Sequence, residues 1–316
     1  MGEKMKNFFL KAVFFVLFTV SALFFIITQV IPPQYNTTYQ SAVNDKFERL
    51  LNTPSPKIIF IGGSSGAFGI NEDIISKKTN LPVANLALHA GFGIKFETEL
   101  SKANIQKNDL VIVGYENGNW VYGSPFGSDL IETGIDNNIK LYRYIPKENF
   151  MDAVKYFPKY SLKKLDAFLF TPIQGGGVYQ RASFENGNMI FDRPTCILPK
   201  PLTDFYGKMS FNKNNINSGI ISYVNEFNKY VNNKGAKLLI TFSPLLDEAV
   251  ISSKGDADNF QKCLEEKLDA PIISNIDQYI FTRDYMYDTI YHCNNAGEKR
   301  RSELLSSDIN KYLNQK

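Results

Sequence analysis

From Lys57 to Ile70 the chain reads Lys-Ile-Ile-Phe-Ile-Gly-Gly-Ser-Ser-Gly-Ala-Phe-Gly-Ile, an apolar run that stops at two glycines and two hydroxyls. Ile58 to Ile61 show no polar alternation, so both faces of that strand must be covered, the condition of a parallel sheet flanked by helices. The pattern returns: Val83 to Leu88 runs into His89-Ala90-Gly91, and Asp109 to Gly114 runs into Tyr115-Glu116-Asn117. Between these two strands, helical spacing over Ile94 to Ile105 supplies the crossover that parallel neighbours require. Strand, turn and helix in alternation predict a doubly wound α/β layer fold. Ligands of such sheets bind beyond the carboxyl ends of the strands.

Further strands are expected at Lys237 to Phe242 and Pro271 to Ser274, making about five, mainly parallel, in a three-layer α/β/α sandwich. Helices are expected near Glu72 to Lys78, Ile216 to Asn232, Asn259 to Lys267 and Ala296 to Tyr312. The alternation breaks over residues 121–215, where aromatic residues crowd among Lys, Pro and a Gly175-Gly176-Gly177 run. Inserts of that length carry function or elements of their own, so this one reads as a partly helical insertion able to cover the site.

At the other end, Ala12 to Ile31 is apolar apart from Thr19, Ser21, Thr28 and Gln29. About 20 such residues cross a bilayer as a helix. Lys4, Lys6 and Lys11 precede the run, which leaves residues 1–11 in the cytoplasm and carries the rest of the chain outside. A cleaved signal peptide has a shorter apolar core and a small-x-small cleavage site, neither of which is present, so the run reads as a single-pass anchor in the cell membrane. Residues 32–56 then read as a stalk with a short helix around Ala42 to Leu51, and residues 57–316 as the extracytoplasmic domain.

With 44% hydrophobic and 21% charged residues, the chain is not disordered, and its net charge of +3 without basic runs sets nucleic acid aside. Cys196, Cys263 and Cys293 lack the close spacing of a sulfur metal site, and no metal or cofactor is implied. A Cys263–Cys293 disulfide is one reading outside the cytoplasm; free thiols are the other.

Gly62 and Gly63 allow a backbone path and a close substrate approach that a Cβ would obstruct, leaving Ser64 at the mouth of the sheet. Ser64 is then a nucleophile, or the turn merely caps the next helix or cradles an anion. The chain has two histidines, His89 and His292. Asp288 precedes His292 by four residues in a loop that enters the final helix, where a carboxylate can hold one ring nitrogen and leave the other for a serine. The alternative is a solvated or capping loop.

Taken together, these residues resemble the SGNH (GDSL-type) hydrolases over roughly residues 57–312, the insertion excepted. In that family a strand runs into Gly-Asp-Ser, and Gly62-Gly63-Ser64 fits with glycine in place of the aspartate. The resemblance implies the flavodoxin-like SGNH sandwich, Ser64 as nucleophile with Ser65 as runner-up, and His292 as base oriented by Asp288, with Asp284 as the other carboxylate. It also implies an oxyanion hole from the Gly91 N–H and the Asn117 side chain. Asn117 stands one place late in Gly114-Tyr115-Glu116-Asn117, and Asp288 is one residue further from the histidine than the family spacing. Tyr115, Trp120 and Tyr122 are candidate pocket residues or packing, and His89 a structural or substrate-contacting group.

The implied chemistry is acyl-ester transfer or hydrolysis through an acyl-serine. A cell-envelope polysaccharide or teichoic-acid-like polymer would be the substrate and an integral membrane acyltransferase the partner, a layout similar to anchored proteins of alginate O-acetylation or teichoic acid D-alanylation. A non-catalytic assembly protein of the same fold and a tethered lipase-like esterase are the alternatives.

Overall fold

A computed structural model describes residues 2–123 and 126–315. The apolar N-terminus forms one helix, α1 (Glu3–Phe25), prolonged by a π-helical turn over Ile26–Val30 and long and apolar enough to cross a membrane. Pro32 and Pro33, which cannot continue the helical hydrogen bonding, follow its end. Residues 32–56, expected as a stalk, pack onto the domain instead. Their helix α2 (Val43–Asn52) sets Val43, Phe47 and Leu50 on one face at i, i+4, i+7, and that face is buried in the main core together with Tyr39 and Ala42.

Then come β1 (Ile58–Ile61), α3 (Ser64–Gly69), α4 (Glu72–Thr79), β2 (Val83–Asn85), α5 (Ile94–Ser101) and β3 (Leu110–Val113). α6 (Asn119–Tyr122) leads into the insertion, which supplies α7 (Ser128–Ile135), α8 (Phe150–Leu169) and a small hairpin of β4 (Phe184–Glu185) and β5 (Asn188–Met189). The alternation resumes with α9 (Ser218–Asn233), β6 (Lys237–Ile240), β7 (Leu245–Leu246), α10 (Lys254–Lys267), β8 (Ile280–Phe281) and α11 (Asn295–Asn314). α10 begins earlier than its apolar spacing suggests because Ser253 and Asp256 form a capping box.

The sheet has four parallel strands in the order β2-β1-β3-β6, one fewer than expected. The segment expected as the fifth strand makes a single parallel bridge, Ile240 to Ile272. Pro271 has no N–H to offer, and by Ser274 the side chain has turned to Asp308 (2.6 Å), so pairing stops within one register. β2 is also shorter than its apolar run: Asn85 Oδ1 accepts the Ala87 N–H (3.0 Å), an Asx turn that takes the chain off the sheet.

The unbroken apolar runs are explained by two cores. Ile59, Ile61, Val111, Val113, Leu238 and Ile240 face one side with α2, α5 and α9, whereas Ile58, Phe60, Leu110, Ile112 and Leu239 face Ile75 of α4 and Leu305 and Ile309 of α11. Lys57 and Asp109, both fully buried, pair at 2.9 Å where β1 and β3 begin, at the edge opposite the serine turn.

Candidate functional site

The turn after β1 is shaped by what surrounds its two glycines. A Cβ on Gly62 would stand 2.8 Å from the Gly114 carbonyl, and one on Gly63 would stand 3.0 Å from Glu116 Oε1 and 3.1 Å from Ala90 Cα. Only a glycine pair lets the three loops meet at the carboxyl ends of β1, β2 and β3. Ser64, half-buried, opens α3, and its hydroxyl donates to Glu116 Oε1 (3.2 Å). The Ser65 N–H donates to the same oxygen at 3.2 Å. Ser65 itself is fully buried, which withdraws its hydroxyl from any substrate.

Two buried arginines hold α3 from behind. Arg301 of α11 donates to the Ser65 carbonyl. Arg193, from the insertion, donates to the Phe68 and Cys293 carbonyls (2.9 and 3.0 Å) and pairs with Glu298. These bonds tie the serine turn to the loop that carries His292.

In that loop His292 Nδ1 lies 2.8 Å from Asp288 Oδ1. Thr289 Oγ1 accepts the N–H groups of Tyr291 and His292 (3.2 and 3.0 Å), and the Tyr287 N–H closes onto the His292 carbonyl (2.8 Å). The tight loop spans the three residues between carboxylate and imidazole. Asp284 lies outside the pair: it is exposed, and its carbonyl accepts from Asn294 (2.8 Å). The other Asp288 oxygen accepts the Tyr179 hydroxyl at 2.6 Å. Burial would raise the Asp288 pKa, but the hydrogen bonds from His292 and Tyr179 outweigh it and hold the carboxyl below its usual range. With its Nδ1–H on this carboxylate, His292 keeps the Nε2 lone pair as its basic position. The ring stacks on Phe68 of α3 at 4.0 Å and 9°, one helical turn from Ser64. Among the described residues the Ser64 hydroxyl bonds Glu116 rather than His292.

Both expected oxyanion donors are otherwise engaged. The Gly91 N–H donates to His89 Nδ1 (2.9 Å). Asn117 is buried, with its backbone N–H on Ser243 Oγ (3.2 Å) and its amide directed at the Ser243 carbonyl (3.4 Å). After a strand, neighbouring side chains point to opposite sides, so the one-place displacement turns Asn117 inward and gives Glu116 the position facing Ser64. Because His89 Nδ1 accepts, its neutral ring carries the proton on Nε2 and has one donor to offer. Burial, with the neighbouring His292 adding to it, keeps the His89 pKa low and the ring neutral.

Tyr115 and Trp120 are buried and packed on each other (5.7 Å), with the Tyr115 hydroxyl on Thr98 (2.9 Å), so they belong to the core; Tyr122 is exposed. All three cysteines are free, which removes the disulfide reading. Cys293, fully buried behind the site, has its thiol pushed up to about 12 by burial. Among the described residues no cluster of three or more His, Cys, Asp or Glu is arranged to hold a metal ion.

No family model matches the chain, and no curated protein or solved structure matches it. The residues that sequence reasoning passed over are Tyr179, Glu116, Arg193 and Arg301. Glu116 had a signal, since it stands in the place after β3 where the expected asparagine was missing. Tyr179 lies 109 positions from the carboxylate it touches, and the two arginines carry no local pattern that marks them as buried.

Proposed function

We propose that the chain is a serine-dependent acyl-ester transferase or esterase of the SGNH type. It would be anchored by α1 and act outside the cytoplasm on a cell-envelope polysaccharide or teichoic-acid-like polymer. The observation that carries this reading is the Asp288–His292 hydrogen bond, held against the helix that Ser64 opens. In the proposed reaction Ser64 Oγ attacks the acyl carbonyl while His292 Nε2 takes its proton, and the imidazolium returns that proton to the leaving alcohol. A water or an acceptor hydroxyl then repeats the steps on the acyl-serine, its proton passing through His292, and frees the enzyme. The Ser64 N–H at the start of α3 and the His89 Nε2–H are the donors left for the oxyanion. Asp288 holds the imidazole tautomer, and Tyr179 fixes Asp288 from the insertion. An integral membrane acyltransferase is the proposed acyl donor.

A second reading, a non-catalytic envelope assembly protein, is favoured by one observation: the Ser64 hydroxyl rests on Glu116. A fluorophosphonate probe on the full chain in membranes separates the two. We expect covalent labelling that is lost in Ser64→Ala and His292→Ala and kept in Ser65→Ala. Folded protein that takes no label would favour the assembly reading, and labelling that survives Ser64→Ala would move the nucleophile elsewhere.

A further inference from the structure

Helix α8 divides into three lengthwise sectors. Ala153, Tyr160, Lys164 and Ala167 are buried against the protein. Lys155, Lys159 and Lys163, at steps of four, form an exposed charged row with Asp152 and Asp166 among them. Between these two sectors runs a third, Phe150, Val154, Pro158 and Leu162 at steps of four, with Leu169 further along, all exposed. Leu162 is 70% exposed and Leu169 61%, although isolated helices do not keep such a stripe in water without a partner surface.

The location of the helix says what covers the stripe. Phe157 packs on Phe24 of α1 with ring centroids 5.1 Å apart, and Tyr160 packs with Ile27, Ile31 and Tyr35 where the chain leaves the apolar span. Asp136 locks this junction. Its carboxylate accepts the backbone N–H groups of Gln34 (2.7 Å) and Tyr35 (3.2 Å), the Tyr160 hydroxyl (2.6 Å) and Lys164 Nζ (2.7 Å). A largely apolar cleft of about 580 Å³ between the two helices, lined by Val20, Phe24, Phe150, Val154 and Phe157 with the hydrogen-bonded Glu132–Tyr142 pair also in its wall, joins the exposed stripe to the bare surface of α1.

We propose that α8 is an interfacial membrane helix whose exposed apolar stripe sits in bilayer lipid beside the last turns of α1, with Lys155, Lys159 and Lys163 reaching back to the headgroup phosphates. A helix of this pattern lies with its apolar face roughly 5–10 Å into the headgroup–acyl boundary, and lysine stems cover apolar surface while their ammonium groups stay in the polar layer. The bare surface of α1 continues into the stripe through the cleft, so one lipid phase covers both. The segment then fixes the tilt of the domain on the membrane. This inference depends on insertion of α1 and is independent of the chemistry at Ser64.

The test uses the full chain reconstituted in vesicles of phosphatidylethanolamine and phosphatidylglycerol, with tryptophan placed at single positions. Trp120, the one native tryptophan, is buried and contributes a constant background. Phe15→Trp reports insertion of α1, Leu162→Trp and Val154→Trp report the stripe, and Lys299→Trp on α11, which packs the opposite face of the sheet, serves as the aqueous control. Lipids brominated on the acyl chain should quench the Leu162→Trp and Val154→Trp variants about twofold or more above the control, as expected of side chains at acyl depth. Quenching equal to the control, with Phe15→Trp strongly quenched, would overturn the inference and leave the anchor standing. An unquenched Phe15→Trp would overturn both. Protection of the Leu162→Trp variant from aqueous acrylamide without lipid quenching would assign the stripe to protein, a second copy included, and refute the lipid assignment.

Discussion

Glu116 fills the space that a side chain at position 63 would need, and placing an aspartate there tests that arrangement quantitatively. The Cβ alone meets Ala90 at 3.1 Å, so Gly63→Ala should cost about 1–3 kcal/mol as overpacking. In Gly63→Asp a second carboxylate comes within about 4 Å of Glu116, a repulsion of about 4 kcal/mol at an effective dielectric constant of about 20. Protonating the introduced carboxyl at pH 7 costs about the same, which caps the penalty. Because Glu116 is half-buried, screening brings the expected carboxylate contribution to about 2–3 kcal/mol. The measurement is a double-mutant cycle of unfolding free energies for Gly63→Asp in the native and Glu116→Gln backgrounds, with the full chain in detergent. The Gly63→Asp penalty should fall by about 2–3 kcal/mol when Glu116 becomes an amide, and the steric part should remain. The repulsion raises the folded-state carboxyl pKa in the variant. Its destabilisation is therefore full at pH 8 and relieved as the pH falls toward the ordinary carboxylate range. A Gly63→Asp penalty equal in both backgrounds and flat with pH would refute the placement of Glu116 against the serine turn.

Asp288→Asn should leave the fold intact and lower turnover by about 10³–10⁴-fold, because an amide can donate to Nδ1 and select the wrong tautomer. Steady-state rates beside unchanged unfolding curves check this, and near-native turnover would remove Asp288 from the site. Tyr179→Phe removes one hydrogen bond to Asp288 and should cost about tenfold in turnover. Since the Asp288 pKa is depressed, its stabilising contribution is present above the ordinary value of 3.8 and lost as the pH falls through the lower folded value; the Tyr179→Phe loss should begin at a higher pH in acid titration. Glu132, beside α8 and bonded to Tyr142, has its carboxyl pushed up to about 7 by burial against the opposing hydrogen bond. The folded state then holds an extra proton between the ordinary 4.5 and about 7, and stability falls as the pH rises across that window. Glu132→Gln should be more stable than the native chain at pH 8 by up to about 3 kcal/mol and should lose that advantage by pH 4.5. Thermal unfolding at both pH values measures the difference, and parallel shifts of the two proteins would refute it.

The parallel sheet was legible because an unbroken apolar run can only be satisfied with both faces covered, and the glycines marked where each strand had to stop. Strand length was less legible. It depends on whether the side chain at the strand end finds a local partner, as Asn85 does two residues on. The fifth strand narrowed to one bridge because Pro271 has no N–H and Ser274 turned away. The stalk was misjudged because its polar residues outnumber the three apolar ones that α2 aligns. At the site, the Asp288 and His292 pairing could be read locally, since a four-residue loop limits where the two side chains can go. The oxyanion side could not, because a displacement of one residue changes which side chain faces the serine. The insertion presents one limb, with Tyr179 and Arg193, to the serine and another, α8, to α1. Aromatic composition alone does not distinguish these two surfaces.

The Asp136 junction removes slack between α1 and the domain. Gln34 and Tyr35 are held within a few residues of the end of the apolar span, and α2 is already part of the core. With α1 inserted, such a molecule searches a surface of constant height instead of a sphere set by linker length. If Ser64 is the nucleophile proposed above, it would meet only groups presented at that height, and a longer polymer would have to bend down to be acted on. On the proposed function, lengthening the junction would change which chains are modified before it changed how fast any one of them reacts.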